Sequence, residues 1–257
     1  CFENGVITKE DTGGLELRWG DAEAIVELTK MMGERRGIGD ILADGVQAAA
    51  AKLGPEAEQY AIHIGGQELP MHDPKLQPEF HTTYKLDPTP GRHTQYDANR
   101  RIGTIPAAPE DSKDYAGRGD HHKAAAEYMH VVNAGGMCQF IMMTANTTNI
   151  PSWFNAVTGW DMDMDEVMAV GERIANLRMA YEVREGGNPR TRNVPTRVTG
   201  ETPEATHTGP LEGVQLDTEL LEVDYLKACG WDTESCKPSS EKLVSLGLSE
   251  VAEVLHV

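Results

Sequence analysis

Positive charge, cysteine and long apolar runs are all scarce in this sequence, and each scarcity argues against a class of function. Lysine and arginine number 23 against 41 aspartates and glutamates, a formal net charge of −18. That balance argues against a nucleic-acid partner and against adsorption to an anionic membrane surface. No apolar stretch nears the ~20 residues of a membrane span, and no charged-plus-apolar leader opens the chain, so a soluble, cytoplasmic protein is expected. The four cysteines, Cys1, Cys138, Cys229 and Cys236, are too few and too irregular for a disulfide framework, and reduced thiols are expected. There is no internal repeat and no low-complexity segment. No methionine precedes Cys1, and CFENGVITKEDTGG reads as the end of a helix whose start lies upstream; a fragment is expected.

What is present is helical periodicity. In DMDEVMAVGERIANLRMAY, Val167, Val170, Ile174, Leu177 and Tyr181 recur every three or four residues behind Asp163 as N-cap, which predicts an amphipathic helix. Residues 21–35 carry Ile25, Leu28 and Met32 in the same register, and 40–53 carry Leu42, Val46, Ala49 and Leu53 before Gly54-Pro55 stops them. QYAIHIGGQEL is the one short segment with strand character. From 70 to 118 the chain is dense in proline, glycine, histidine and charge without periodicity, and a domain boundary is expected there. Helix resumes over about 120–132, breaks at NAGG and resumes in CQFIMMTA. Residues 186–213 read as a surface excursion, and short helices close the chain around 217–229 and 239–254. The fold class is therefore mainly α, multihelical, in two helical subdomains, 1–85 and 86–257.

Two glycine motifs share one form. Asp11-Thr12-Gly13-Gly14-Leu15-Glu16 and Asn133-Ala134-Gly135-Gly136-Met137-Cys138 each run from an acceptor side chain through small residues and glycine to an apolar residue, then to a carboxylate or thiol. A tight turn of this kind leaves bare backbone against a ligand and aims its last side chain at it. Singly, Asp-x-Gly-Gly is more often an ordinary turn before a helix, and an intracellular cysteine at a helix start is more often a buried structural thiol.

The paired motifs, with FENGVITKEDTGGLELRWGDAEAIVEL, GIGDILADGVQAAAAKLG, LPMHDP, TGWDMDMDEVMAVGERIANLRMAYEVREG and the late GWD, resemble the aldehyde ferredoxin oxidoreductase family of tungsten-containing enzymes along the whole chain. In that family similar turns each hold one of two pterins that chelate tungsten, and the cysteine of the second is the fourth ligand of a [4Fe–4S] cluster. The resemblance implies that Asp11, Gly14, Leu15 and Glu16 bind one pterin, that Asn133, Gly136, Met137 and Cys138 bind the other, and that Cys138 ligates iron. It implies oxidation of an aldehyde to a carboxylic acid, with ferredoxin as acceptor and tungsten, or molybdenum, in the bis-pterin site. His93 lies roughly where the family keeps a histidine beside the metal; there a neutral imidazole can donate to an aldehyde oxygen or shuttle a proton. As a bare residue it reads equally well as a histidine in a polar loop. Gln95 and Tyr96 are candidate supporting donors.

Departures from the family pattern fall at Glu16, Asn133 and Met137, where Asp, Asp and Leu are usual; Asn133 gives up a charge toward pterin N–H groups. The family's Cys-x-x-Cys-x-x-x-Cys run is absent. It belongs upstream of the first motif, with a β-rich N-terminal domain, so both cofactors are expected only in the intact enzyme. His72, His121 and His122 are read as surface or loop residues, since adjacent rings on a helix point apart. Because ferredoxins are acidic, docking calls for a local basic patch, for which Arg35-Arg36 and Arg184, Arg190, Arg192 and Arg197 are the clusters available. The substrate alternatives are an aromatic acyl-CoA in a ring reductase, or no substrate at all in a cofactor-free helical fragment; homo-oligomers are allowed.

Overall fold

A computed structural model describes residues 1–96, 109, 111, 113–144, 149–201 and 211–256. The centre of the proline-rich stretch and part of the 186–213 excursion lie outside the described residues. Among those described, extended pairing is confined to one two-stranded hairpin and an isolated bridge between Trp231 and Pro238, so the fold is mainly α as expected. The chain divides into two compact units, Cys1–Leu69 and Pro70–Val257.

In the first unit, α1 (Ala22–Gly33) starts where Asp21 accepts from the Ala24 amide at 3.0 Å, an N-cap that satisfies an otherwise orphaned donor. Its buried residues are Ala24 and Met31, while Ile25 is exposed, so the helix is turned away from the expected Ile25–Leu28–Met32 stripe. The cause is α2 (Ile38–Leu42): Gly39 comes so close that a β-carbon would stand 2.2 Å from the Met31 carbonyl. The helix expected over 40–53 is broken, because Gly45 at φ +91° separates α2 from α3 (Val46–Leu53), and a positive φ cannot continue a right-handed helix. The Glu68 carboxylate takes up the freed Val46 amide at 2.9 Å. A single turn, α4 (Pro55–Glu58), precedes β1 (His63–Ile64) and β2 (Gln67–Glu68), which pair antiparallel around Gly65-Gly66. The expected strand is thus a minimal hairpin.

The second unit begins with a helix inside the stretch that reads as irregular, α5 (Glu79–Leu86). Every one of its residues except Lys85 is buried, so it has no polar face and no periodicity to announce it. It belongs with the second unit because His81 and Lys85 reach Glu222; the division at Leu69/Pro70 therefore falls earlier than the expected residue 85. Next come a 3₁₀ turn at His93–Gln95, then α6 (Gly119–Ala134), α7 (Gln139–Thr144), α8 (Ile150–Thr158) and α9 (Met164–Arg184). Asp163 and Glu166 close a reciprocal capping box at 2.9 and 3.0 Å at the start of α9.

Helix α9 buries Val167, Gly171, Ala175, Asn176, Met179 and Ala180, whereas Leu177 and Tyr181 are exposed. The expected stripe is wrong in its second half because α6 crosses at the small residues: a β-carbon on Gly171 would stand 2.2 Å from the Glu127 carbonyl oxygen. Buried Asn176 is satisfied by the Trp231 indole N–H at 2.8 Å. The chain closes through a 3₁₀ turn at Pro189–Thr191, α10 (Thr196–Thr199), α11 (Thr218–Cys229), α12 (Ser240–Ser245) and α13 (Ser249–Leu255). Helices α6, α9 and α11 surround the core of Met129, Val167, Met179, Leu226 and their neighbours.

Candidate functional site

The first glycine turn is held from within. Asp11 Oδ2 accepts from the Thr8 amide at 2.7 Å and from the Thr8 hydroxyl at 2.6 Å, and these bonds keep its carboxyl below the ordinary range. Thr12, which sequence reasoning passed over as a spacer, is buried and places its hydroxyl 2.5 Å from the Leu15 carbonyl, stapling the two ends of the turn. Gly13 and Gly14 have φ of +69° and +97°, and no atom lies within 4 Å of the place where either β-carbon would stand. Glycine is needed here for its backbone angle, and the bare main chain faces open space. A cavity of about 540 Å³ opens beside it, lined by residues 10–15 and by Glu27, Met31 and Arg36. Glu16 is half-buried and paired with Arg18 at 2.6 Å. Open glycine backbone beside a cavity of mixed polar and apolar lining fits a flat, hydrogen-bonding heterocycle.

The second turn terminates α6. The Gly136 amide donates to Asn133 O at 3.2 Å and the Met137 amide to Val132 O at 3.0 Å, with Gly136 at φ +69°, the hydrogen-bond pattern of a Schellman cap. The space over Gly136 is open, but a β-carbon on Gly135 would stand 2.9 Å from the Phe154 ring. Met137 packs on the core formed by Tyr128, Ile150 and Val167. Cys138 is exposed, so the described residues do not bury its thiol. The turn therefore fits a ligand on its glycine and one soft metal on its thiol. Among the described residues, however, no group of three or more His, Cys, Asp or Glu side chains is placed to hold a metal ion, and Cys229 and Cys236 are buried. A four-cysteine cluster does not fit the described residues by themselves.

His93 sits half-buried on the 3₁₀ turn. Burial, then the charges of His72 and Arg92, push its pKa below the ordinary value, so the ring is neutral at neutral pH. The exposed His72 ring lies 4.8 Å from it, centroid to centroid, and is itself stacked on Phe80. Gln95 is buried and accepts from the Asn133 amide at 2.9 Å; Tyr96 is buried against Phe80 and His122. His121 and His122 are buried too, contrary to the surface reading. They are 4% and 3% exposed because α6 is packed on more than one side, so rings that point apart still both meet protein. Burial holds His122 down to about 3.

The family model for aldehyde ferredoxin oxidoreductase, domains 2 and 3, matches residues 1–248. The chain belongs to this family. The tungsten-containing aldehyde ferredoxin oxidoreductase of Pyrococcus horikoshii is 30% identical over 260 residues, covering 97% of this chain and 41% of that protein. The Thermococcus kodakarensis enzyme of the same description is 26% identical with the same coverage. The WOR-like subunit of an aliphatic sulfonate oxidoreductase from Pyrococcus furiosus is 27% identical, covering 97% of this chain and 38% of that protein. The fold also matches a chain of the BamBC active-site complex of benzoyl coenzyme A reductase with 1,5-dienoyl-CoA, with a TM-score of 0.67, 22% identity, and coverage of 98% and 42%. The chain thus spans about two-fifths of the length of these relatives.

Within this member of the family, five of the six arginines that read as docking clusters are already engaged. Arg35 pairs with Asp44 at 2.6 Å, Arg36 with Glu27 at 2.7 Å, Arg184 with Glu185 at 2.7 Å, Arg190 with Glu219 at 2.8 Å and Arg192 with Glu182 at 2.5 Å. Arg190 also closes on the buried Glu222. The expected basic patch is therefore largely neutralised. No described helix is long and apolar enough to cross a membrane.

Proposed function

We propose that the chain is the two-domain helical part of a cytoplasmic tungsten bis-pterin oxidoreductase that oxidises aldehydes to carboxylic acids with ferredoxin as electron acceptor. The observation that carries the reading is that the second glycine turn of a family member ends in an exposed thiol beside open glycine backbone. Asp11 and Glu16 would accept from the N–H groups of one pterin, with Gly14 allowing close approach and Leu15 contacting the ring system. Gly136 and Met137 would do the same for the other pterin beneath Asn133, and Cys138 would supply one thiolate to a [4Fe–4S] cluster whose remaining ligands come from the N-terminal domain. Bound there, the metal–pterin would supply two-electron chemistry, and a cluster held partly by Cys138 would supply one-electron chemistry. His93, neutral and half-buried, has a ring nitrogen to orient the aldehyde oxygen or accept the released proton.

The test uses the intact enzyme purified without air. Tungsten and iron should be present, and aldehyde should be oxidised with viologen; turnover of an aromatic thioester with a strong reductant instead would move the substrate to the ring-reductase class. The chain alone should be colourless and helical, since it offers one cluster cysteine. About four irons on the isolated chain would overturn the ligand assignment.

A further inference from the structure

We infer that Asn133 is a positioning residue for His93: its side-chain amide ties the 93–95 turn to the end of α6, so the second glycine turn and the imidazole move as one body. The inference rests on the functional reading above and adds a role for a residue that reading places only at the head of a pterin turn.

Asn133 Nδ2 lies 3.1 Å from the Thr94 carbonyl oxygen and 2.9 Å from Gln95 Oε1. A backbone carbonyl only accepts, so the atom facing Thr94 is the amide nitrogen, and its two hydrogens serve the two oxygens. The anchor end is rigid, since Asn133 closes α6 inside a Schellman cap and its carbonyl accepts from the Gly136 amide. The anchored end is a single 3₁₀ turn, too short to hold itself. Its other restraints flank His93 on both sides: the Gly91 amide donates to Tyr84 O at 2.9 Å, and Tyr96 is wedged against Phe80 and His122. The Asn133 bonds are hydrogen bonds to the turn itself from α6, a helix distant in sequence, and they act beside the packing of Tyr96 on His122 of the same helix. They also explain the departure from aspartate at this position. A carboxylate has no hydrogen to donate at neutral pH, and it would set oxygen against the Thr94 carbonyl, which can only accept, while Gln95 would have to turn its amide round.

Asn133→Asp restores the family residue and separates the two roles. If Asn133 positions His93, the variant should raise the rate at which diethyl pyrocarbonate modifies His93 at pH 7 several-fold. It should speed amide exchange across 93–96 about tenfold, and leave tungsten per chain unchanged. In the intact enzyme kcat should fall about tenfold to a hundredfold with KM within about twofold, the signature of a displaced group that acts in the transition state. Asn133→Ala, which removes the donor without adding charge, should act in the same direction and serves where the aspartate variant unfolds. Gln95→Ala combined with Asn133→Ala should be less than additive, because the two share a hydrogen bond. Unchanged His93 modification and exchange, with tungsten altered, would overturn the inference and make Asn133 a pterin ligand only. A parent enzyme lacking tungsten would defeat the functional reading instead, and the modification and exchange measurements would still decide whether Asn133 holds the turn.

Discussion

His81 and Glu222, 141 residues apart, meet with Nε2 2.7 Å from Oε1 and both side chains 1% exposed. The same carboxylate takes Lys85 at 2.8 Å and Arg190, so one anion ties α5 and the 189–191 turn to α11. Burial pushes the Glu222 carboxyl up, and the bonds and charges of His81 and Lys85 outweigh it, leaving the pKa below its ordinary value. A depressed acid contributes stability above its unfolded pKa and loses it as pH falls through the folded value. Glu222→Ala should cost about 3 kcal/mol, because it removes a buried carboxylate that pairs half-buried Lys85 and Arg190 and bonds His81; denaturant unfolding measures it.

The α6 helix makes stability depend on pH in two opposed ways. Burial holds His122 at about 3 and His130 at about 4, while the unfolded chain takes up those protons below about pH 6.5. Their contribution is complete above that value and is lost as pH falls toward the folded values. Glu127 runs the other way: burial raises it to about 7 against the pull of Lys123, so its contribution is complete below about pH 4.5 and lost as pH rises through 7. The urea midpoint should therefore climb from about pH 4 to 6.5. His130→Asn should flatten that climb, and Glu127→Gln should remove the decline near neutrality.

Two glycines should respond oppositely to substitution. Gly171→Ala drives a methyl into the Glu127 carbonyl and should destabilise by about 1–3 kcal/mol or more as α6 and α9 are forced apart. Gly136 has open space and only its left-handed angle to satisfy, which asparagine tolerates. Gly136→Asn should therefore keep the melting temperature within a few degrees while filling the space proposed for pterin. Tungsten content falling without unfolding is the expected result.

Cys138 should be the fast-reacting thiol against Cys229 and Cys236. It is exposed, whereas burial pushes Cys236 up to about 11 and Cys229 well above its ordinary value, so neither is a thiolate at neutral pH. Alkylation of the isolated chain followed by peptide mapping should label Cys138 before either of them. If Cys138 ligates the proposed cluster, that labelling should be suppressed in the intact enzyme, and Cys138→Ser should lower iron while leaving some tungsten.

Local chemistry was legible in the sequence where it acts alone. The Asp163 cap, the break at NAGG and the stop at Gly54-Pro55 follow from side-chain acceptors and backbone angles, and the structure has all three. Packing was not legible in the same way. Helix α5 shows no stripe because it has no wet face, and the α9 stripe failed at Leu177 and Tyr181 because Gly171 and Ala175, not the larger residues, set the crossing with α6. At the site, the two turns could be found by their common form. The buried Thr12 staple could not, since nothing in the motif's form marks a spacer threonine as the donor to the Leu15 carbonyl of its own turn, and the donor role of Asn133 depends on partners that its motif does not contain.

The pairing of Arg35, Arg36, Arg184, Arg190 and Arg192 with neighbouring carboxylates has a kinetic consequence. An acidic electron carrier approaching these residues meets a net excess of like charge, so its encounter rate should rise as ionic strength shortens the Debye length toward about 10 Å at 0.1 M. A pair of complementary surfaces would slow under the same change. If the proposed carrier reduction holds, the sign of its salt slope therefore reports whether electrons leave over the surface of this chain.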